Sequence, residues 1–247
     1  MKVLILAGGY GTRLYPLITD TPKALLEVAG KTLIDHALDK YVEIKGVEEV
    51  LVVTNAKFAD QIGSWAAERK GCPFPVRVIN DGTHTPEERL GAIGDVLFTL
   101  DRVPGKADWA VIGSDNLFNE GLASFLEAAR RNIPAVTIGC YDIGDTSGAT
   151  KYGVVEIDAR GKVLSLEEKP KEPRSSLISM CLYYFPGASL GRMRTFVQET
   201  GRTDTTGGYI QWLFSREDVF AHRFGGKWYD IGSLESYQEA QKQFLSK

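Results

Sequence analysis

The sequence predicts an α/β fold in which a mixed, mainly parallel β-sheet is flanked by helices and joined by a β-rich second part. Over about the first 133 residues, short apolar runs typical of buried strands alternate with stretches of helical periodicity. From about residue 134 onward, strand-like stretches follow one another and are separated by turn-forming residues. The 247 residues can bury a large core without disulfides, and no internal repeat or long linker divides them.

The first half is predicted to alternate between strands and helices. Four apolar runs have the length and composition of buried parallel strands: 2–7, 50–53, 76–79 and 110–112. Four further stretches carry apolar residues at helical spacing: 32–44, 58–69, 92–101 and 120–131. Crossovers between parallel strands are right-handed, so the loops that follow these strands are expected along one edge of the sheet. Ligands of such sheets bind at that edge.

The second half is predicted to be richer in strands. Its strand-like stretches are 135–140, 153–157, 163–166, 182–185 and 219–224. Its helices are predicted at 189–199 and 208–215, with a final helix from Ser233. We expect the two halves to be lobes of a single domain that spans residues 1–247, rather than independent units.

Charge and cysteine content exclude several classes of protein. The chain carries 29 Lys and Arg against 32 Asp and Glu, a net charge of −3. This argues against binding of nucleic acid through an overall positive charge. Cys72, Cys140 and Cys181 lie far apart, so neither a disulfide framework nor a zinc knuckle is expected. The apolar run Val3–Ala7 is too short for a signal peptide or a membrane span. These features predict a cytoplasmic protein that does not bind membranes, and they leave homo-oligomerisation open.

The first predicted strand runs directly into a glycine-rich loop. Gly8, Gly9 and Gly11 allow the backbone to approach a ligand closely and to point its N–H groups at it, which suits a phosphate chain. Two familiar phosphate loops do not match. The P-loop would need Gly-Lys where the chain has Arg13 and Leu14, and the dinucleotide-binding fingerprint would need a third glycine at Leu14. A hydride-transfer enzyme is therefore disfavoured.

Two cations stand in this first connection between strand and helix. Arg13 lies within the loop and offers a fixed charge with forked donors for phosphate oxygens. Lys23 follows Pro22, which stiffens the approach of the chain. Either cation alone would more often be an ordinary surface charge. The whole arrangement, directly after a buried strand, favours phosphate binding.

These motifs together resemble the signature of the sugar-1-phosphate nucleotidyltransferases, the nucleotide-sugar pyrophosphorylases. The resemblance is carried by Leu6–Leu14, Pro16 and Pro22–Leu26, which agree with that signature in order and distance. It implies the Rossmann-like nucleotide-diphospho-sugar transferase fold, and transfer of a nucleotidyl group from an NTP to a sugar 1-phosphate with release of pyrophosphate. It implies that Arg13 and Lys23 are catalytic and hold the triphosphate. The nucleotide contacts that it implies are Leu6, Ala7, Gly8, Gly9, Gly11, Thr12, Asp81, Gly82 and Gly91.

Two aspartates are candidates for a metal pair. Joining two polyanions usually requires a divalent cation such as Mg²⁺, which prefers oxygen ligands. Asp115 follows the predicted strand at 110–112, and Asp230 follows a strand-like stretch and is expected to open the final helix. Alone, each would more often be a turn or helix-cap residue. The resemblance implies that both hold Mg²⁺, with Ser114 standing where the family usually has a glycine.

The acceptor is expected in the second half. A Glu-Glu-Lys-Pro sequence follows the predicted strand at 163–166, where it would usually be only a solvated strand end. The resemblance implies that the second glutamate contacts sugar hydroxyls and that the lysine contacts the sugar phosphate. Residues from about 1 to 133 would then bind the nucleotide, and those from about 134 to 247 the sugar phosphate. The residues that the resemblance assigns to the acceptor are Tyr152, Gly153, Glu168 and Lys169.

Departures from the family pattern leave the base and the acceptor open. The stretch Leu90–Asp95 is similar to that of guanylyl- and several uridylyltransferases, but Ala92 replaces a threonine and Asp95 adds a charge. His84, in the loop after the third strand, is a further candidate for contact with the nucleotide. Cys181 adds bulk where the family often has a glycine, so the acceptor could be an unusual sugar phosphate.

Three alternative functions are weighed against this one. A cytidylyltransferase would take a non-sugar phosphate such as phosphocholine, or a phosphonate, as acceptor. A non-catalytic, nucleotide-sugar-binding regulatory subunit would typically lose signature cations or acids, which this chain retains. A glycosyltransferase of related fold would use Asp115 for its metal but would not need Arg13 and Lys23. A magnesium-dependent sugar-1-phosphate nucleotidyltransferase is therefore the function that the sequence predicts.

Overall fold

A computed structural model describes residues 1–15 and 18–244 of the chain; Pro16, which belongs to the sequence signature, lies outside the described residues. The first half alternates between strands and helices, as predicted. Its strands are β1 Lys2–Ala7, β2 Glu27–Val28, β3 Lys31–Thr32, β4 Glu49–Thr54, β5 Val76–Asn80, β6 Trp109–Gly113 and β7 Asn116–Phe118. Its helices are α1 Leu33–Val42, α2 Ala59–Ala67, α3 Ala92–Arg102 and α4 Ala123–Arg131.

The second half contains longer antiparallel strands and three more α-helices among the described residues. Its strands are β8 Val136–Asp142, β9 Gly153–Ile157, β10 Val163–Glu168, β11 Leu177–Phe185, β12 Val219–Phe224 and β13 Trp228–Asp230. Its helices are α5 Gly191–Thr200, α6 Thr206–Phe214 and α7 Leu234–Gln243. Side chains of Thr205 and Ser233 accept hydrogen bonds from the first turns of α6 and α7, so these two residues set where the helices begin.

Nine strands of the described chain form one sheet. The order β6-β1-β4-β5 is parallel throughout. β11 runs antiparallel to both β6 and β8, and β12 pairs in parallel with β8. β9 joins the beginning of β11 and carries β10 as an antiparallel neighbour. The predicted mixed, mainly parallel sheet with a β-rich second part is confirmed.

The core lies on both faces of this sheet because successive residues of each strand point to opposite sides. β1 shows the pattern, since Val3 and Ile5 enter one apolar cluster and Leu4 enters the other. The first cluster is covered by α1, α2 and α4, and the second by α3, α5 and α6. A third, smaller cluster packs Leu14 and Ile18 against Ile231 and α7, which anchors the loop after β1. Within residues 1–15 and 18–244, no helix is long and apolar enough to cross a membrane.

The structure differs from the sequence prediction in several places. The strand predicted at 182–185 begins at Leu177, because the earlier part of β11 pairs with β8 and β9. The two- and three-residue strands β2, β3, β7 and β13 were not predicted, since such short segments carry no periodicity. Asp230 does not open the final helix. It is the last residue of β13, and the helix begins at Leu234.

We predict that truncating Leu182 destabilises the protein strongly. Leu182 is fully buried at the centre of β11, where the strand pairs with β6, so Leu182→Ala removes packing atoms and leaves a cavity. The expected loss in free energy of unfolding is about 2–5 kcal/mol, measured by urea denaturation. Leu164→Ala is the matched control, because Leu164 is 59% exposed, and it should change stability by less than about 0.5 kcal/mol. Equal effects of the two substitutions would contradict the position of β11 in the core.

Candidate active site

The parallel pairing of β1 with β6 places two loops side by side at one edge of the sheet. Leu6 lies opposite Gly113, and the Ser114 N–H donates a hydrogen bond of 3.0 Å to the Leu6 carbonyl. The glycine loop that follows β1 therefore adjoins Asp115, which follows β6. This is the edge at which the sequence predicts ligand binding.

The glycine loop turns sharply so that the Arg13 side chain reaches the solvent. Gly11 has a left-handed backbone with φ of +65°, and it is followed by a single 3-10 turn at Thr12–Leu14. A Cβ at position 11 would lie 2.4 Å from Ile18 Cδ1 and 3.6 Å from Lys23 Cβ. A side chain at this position would clash, so the glycine allows the loop to pack closely against the segment that carries Lys23.

Lys23 and Asp115 form an ion pair across this edge. Lys23 Nζ lies 2.5 Å from Asp115 Oδ2, and the two side chains are 14% and 29% exposed. A partly desolvated pair of this kind is held more firmly than a surface pair. The structure therefore brings together one predicted catalytic residue and one predicted metal ligand.

Asp230 reaches the same place through β13, which pairs antiparallel with β7. Asp230 lies opposite Asn116, and the Ile231 N–H donates a hydrogen bond of 3.0 Å to the Asp115 carbonyl. Burial and the negative charge of Asp115 raise the pKa of Asp230 to about 6, against the opposing effect of Lys23 and Arg13. Within the described residues, no three His, Cys, Asp or Glu side chains form a ready metal site. A cation held by these two aspartates would take its other ligands from substrates or water.

The predicted acceptor residues lie where β9 and β10 pair. Glu168 lies opposite Gly153, and the Lys169 N–H donates a hydrogen bond of 2.9 Å to the Tyr152 carbonyl. Lys169 has a left-handed backbone with φ of +52°, which is uncommon outside glycine and directs its side chain out of the strand. Burial raises the pKa of Glu168, although the Lys169 ammonium 3.8 Å away opposes the shift. The four residues thus converge on one surface.

Two adjoining clefts open at this edge. The first, of about 370 Å³, lies over the glycine loop. The second, of about 490 Å³, lies over β9, β10 and β13. Arg13, Ala92, Asp115 and Asp204 line both, so the clefts meet along these four residues. The predicted residues that line the first are Leu6, Gly8, Gly9, Gly11, Thr12, Arg13, Lys23, Asp81, Gly91 and Asp115. Those that line the second are Arg13, Asp115, Tyr152, Gly153, Glu168, Lys169 and Asp230.

Three predicted residues do not line either cleft. Ala7 is buried in the core with its side chain among apolar neighbours. Gly82 occupies a left-handed turn with φ of +82° beside the first cleft, so its part is to shape the loop. His84 is exposed and lines neither cleft, and its backbone N–H donates to Glu88 Oε2 at 2.7 Å; its contact with the nucleotide stays a prediction.

One residue that lines both clefts, Asp204, was missed, whereas Cys181 was noted from the sequence. Asp204 lies between the two clefts, in a turn whose Thr203 carbonyl accepts hydrogen bonds from the start of α3. No motif marks this turn, because it approaches the site through tertiary packing. Cys181 lines the second cleft, where burial and the charge of Asp115 raise its pKa to about 12, so it is a neutral thiol. Its added bulk was visible in the sequence.

Asp95 lines the first cleft, beside Asp81. Its side chain is among the few buried carboxyls, and Asp95 Oδ2 would lie 2.6 Å from a Cβ added to Gly8. Burial and the neighbouring Asp81 raise the pKa of Asp95 to about 8. Asp95 is therefore protonated at neutral pH. The sequence indicates an added charge at Asp95, and burial beside Asp81 favours its neutral form.

The chain is an α/β protein with two adjoining clefts at one edge of its sheet. The clefts lie over a glycine loop and a pair of aspartates. The model of the nucleotidyl transferase family matches residues 2–247, and the chain belongs to that family. It is therefore an enzyme that transfers a nucleotidyl group, and the predicted resemblance is confirmed. Members of this family generally use divalent metal ions.

A solved structure has the same fold. It is the 2.76 Å crystal structure of a Bacillus anthracis protein assigned as a glucose-1-phosphate thymidylyltransferase, in complex with a sucrose. The two chains share 24% sequence identity with a TM-score of 0.80, over 100% of this chain and 96% of the other. At this identity the likeness shows the fold, and the substrates of this chain have to be argued from its own residues.

We predict that the Asp95 carboxyl makes the protein less stable as the pH rises from about 5 to about 8. The pKa of Asp95 is about 8 in the folded state, whereas an unfolded aspartate has a pKa of about 3.9. Over this range the unfolded state releases a proton that the folded state keeps, so each pH unit costs at most about 1.4 kcal/mol from this group.

Urea unfolding at several pH values would measure this effect. Asp95→Asn removes the titrating group. The difference in free energy of unfolding, variant minus unmodified protein, should therefore increase as the pH rises. Parallel curves for the two proteins would show that Asp95 does not hold a proton in the folded state.

Proposed function

We propose that this nucleotidyltransferase transfers a nucleotidyl group from an NTP to a sugar 1-phosphate, giving an NDP-sugar and pyrophosphate. The observation that carries the proposal is the meeting of two clefts at Arg13 and Asp115, with Lys23 and Asp230 beside them. A reaction that joins two phosphate-bearing substrates needs two such binding spaces that share the reacting centre. This chain would act as a single domain, with the nucleotide bound mainly by residues 1–133 and the acceptor mainly by residues 134–247.

The first cleft suits the triphosphate. Its glycine loop exposes backbone N–H groups, and Arg13 and Lys23 supply positive charge at the end nearest the second cleft. Lys23 is already ion-paired with Asp115, so it is held in place before a ligand arrives. Pre-positioned charge of this kind stabilises the negative charge that develops during phosphoryl transfer. We assign Arg13 and Lys23 as the catalytic cations on this basis.

The second cleft suits a sugar phosphate. Glu168 offers a partly buried carboxyl to sugar hydroxyls, and the Lys169 ammonium lies beside it as a partner for phosphate. Tyr152 lies close to the Trp228 ring, with ring centroids 5.4 Å apart, and the two aromatic rings form part of the wall. An apolar wall with a few polar groups is typical of sites that bind a sugar ring.

In the reaction, an oxygen of the acceptor phosphate attacks the α-phosphorus of the NTP. The bond to the β-phosphate oxygen breaks, and pyrophosphate leaves on the opposite side. No proton has to be removed from an ionised phosphate, so the chain needs positioning and charge stabilisation rather than a general base. Arg13 and Lys23 would neutralise the leaving pyrophosphate, and Lys169 would hold the attacking phosphate.

The donor set at Asp115 and Asp230 fits Mg²⁺. Two carboxylates converge on one place. Burial and the negative charge of Asp115 raise the pKa of Asp230, and a divalent cation would relieve the repulsion between the two. Hard oxygen ligands of this type suit Mg²⁺. When bound, the ion would supply positive charge to the phosphate oxygens. Asp115 and Asp230 would hold it, beside the Lys23 ammonium.

Pyrophosphate release tests the proposed function. Purified protein with Mg²⁺ is combined with each of ATP, CTP, GTP, UTP and dTTP and with a panel of sugar 1-phosphates and phosphocholine. We expect release that requires both one NTP and one sugar 1-phosphate. Release with phosphocholine alone among the acceptors would favour a cytidylyltransferase for a non-sugar phosphate. NTP binding without release from any pair would favour a regulatory subunit.

We predict that Lys23→Ala and Asp115→Asn each lower kcat by about 100-fold or more, because each removes charge at the reacting centre. Initial rates of pyrophosphate release at saturating substrates measure the effect. Lys45→Ala and Asp60→Asn are matched controls at exposed positions outside both clefts, and they should leave kcat unchanged. An unchanged kcat for Asp115→Asn would show that the metal assignment is wrong.

We predict that Lys169→Ala weakens the use of the acceptor. Loss of a charged partner for its phosphate should raise KM for the sugar phosphate by about 10- to 100-fold and leave KM for the NTP nearly unchanged. Lys171→Ala is the control, because Lys171 is exposed two residues further on. If KM for the NTP rises instead, Lys169 serves the first cleft and the assignment of the two clefts has to be reversed.

A further inference from the structure

The C-terminal helix α7 lies behind the candidate catalytic residues rather than in the clefts that they line. It packs against β2 and β13, and no described residue of the helix lines either of the two adjoining clefts. β2 follows the turn that carries Lys23, and β13 ends at Asp230. The helix therefore contacts both of the elements that bring these two charged residues to the edge of the sheet.

The third apolar cluster lies between α7 and the charged residues Arg13, Lys23, Asp115 and Asp230. Each of these four is followed within three positions by a buried member of the cluster, and these members are Leu14, Leu26, Leu117 and Ile231. Ala240 of α7 is fully buried in the same cluster, and Tyr237 packs against it. Interiors are closely packed, so a shift of one member leaves a gap or a clash at the others. The position of α7 is thus coupled to the positions of the charged residues.

Two side chains of α7 bind the main-chain carbonyl of Glu27. The Tyr237 hydroxyl donates to this carbonyl at 3.0 Å, and the Gln241 amide donates to it at 2.5 Å. The same amide donates to the Tyr237 hydroxyl oxygen at 2.8 Å, so the two side chains also fix each other. Glu27 is the first residue of β2, and only Leu26 separates it from the turn Lys23–Leu25. These bonds therefore fix the chain directly after the turn that carries Lys23.

The turn itself connects Glu27 rigidly to Lys23. The Leu26 N–H donates to the Lys23 carbonyl at 3.0 Å, and the Leu25 N–H donates to the Pro22 carbonyl at 2.9 Å. The ring of Pro22 restricts the backbone on the other side of Lys23. Lys23 Nζ lies 2.5 Å from Asp115 Oδ2, so a displacement of the turn would lengthen this ion pair.

The N-terminal end of α7 is bonded to the strand end that carries the second aspartate. Its N-cap residue, Ser233, forms a reciprocal capping box, which fixes where the helix begins. Just before it, the Gly232 N–H donates to the Asp230 carbonyl at 2.8 Å, and the Ile231 N–H donates to the Asp115 carbonyl at 3.0 Å. One end of the helix is thus fixed to the two aspartates, and its other end is fixed to the segment of Lys23.

We propose that α7 is a positioning element of the active site and that Tyr237 and Gln241 are its positioning residues. They line neither of the two clefts, and they act by holding the Glu27 carbonyl so that Lys23 stays beside the two aspartates. A fixed charge stabilises a transition state only at the right distance, so a small displacement of Lys23 lowers the rate. The inference rests on the proposed function, because it concerns the same reacting centre.

The double variant Tyr237→Phe/Gln241→Ala tests the inference. It removes both side-chain donors to the Glu27 carbonyl and keeps the aromatic ring in the apolar cluster. We expect kcat for pyrophosphate release to fall by about tenfold. KM for the sugar phosphate should change by less than about twofold, because the residues assigned to the acceptor are unchanged.

Tyr184→Phe/Gln238→Ala is the matched control and should leave kcat unchanged. Tyr184 also loses a hydroxyl donor, but its partner Asp108 lies at the opposite end of β6 from Asp115. Gln238 is an exposed residue of α7. Both double variants are assayed well below their measured unfolding temperatures, so that a fall in kcat does not come from loss of folded protein.

A merely structural role is separated by repeating the comparison in a Lys23→Ala background. If Tyr237 and Gln241 act through the Lys23 side chain, their substitution should lower kcat no further once that side chain is missing. A tenfold fall in this background as well would show that α7 only supports the fold, and the inference would be wrong.

Hydrogen–deuterium exchange gives a measurement that needs no substrate. The Leu25 and Leu26 amides are bonded within the turn of Lys23, and they should exchange about tenfold faster in Tyr237→Phe/Gln241→Ala and at an unchanged rate in the control. Unchanged exchange would overturn the inference whatever the activity, and so would an unchanged kcat. If the unmodified protein releases pyrophosphate with no pair of substrates, the proposed function fails, and the exchange rates alone decide whether α7 holds the segment of Lys23.

Discussion

The parallel pairing of β1 with β6 is the constraint on which the rest of the site depends. It brings a loop near the start of the chain next to a residue about a hundred positions later, because the carboxyl ends of parallel strands meet at one edge. Gly113 makes the junction compact. A Cβ there would lie 2.7 Å from Asp115 Oδ1 and 3.1 Å from Cys181 Sγ. The strand therefore ends on a residue without a side chain, and Asp115 can fold back toward Lys23.

Most strands and helices of the fold, and most residues proposed for the candidate site, could be predicted from the sequence. Long strands such as β1 and β4 are apolar along their length, which indicates burial on both faces. The glycine loop and Lys23 form a short sequence motif that indicates the phosphate site. Asp230 was identified by resemblance, but the way it reaches the site was not. It depends on the pairing of β7 with β13, two three-residue strands that lie far apart in the chain and have no periodicity of their own.

The site keeps features that elsewhere would be unfavourable. Lys169 has a left-handed backbone, and Asp95 is a buried carboxyl with an unpartnered oxygen. Asp204 reaches both clefts only because its turn docks on the start of α3, through main-chain hydrogen bonds that no sequence pattern reveals. Local rules are commonly broken where a protein has to bind something. Of these three positions only Asp204 was missed, while for Lys169 and Asp95 the sequence indicated the residue but not its conformation or burial.

The double pairing of β11 also limits how the molecule can move. Residues 182–185 of β11 pair with β6, and residues of the same strand between Leu177 and Tyr184 pair with β8 and β9. A hinge between the halves would have to break a buried hydrogen-bond ladder, so rigid-body opening of one lobe against the other is disfavoured. Closure around substrates would then be confined to side chains and to loops at the rim of the clefts. The central sheet therefore holds the two halves in a fixed relation, and substrates can bind and leave without large domain motions.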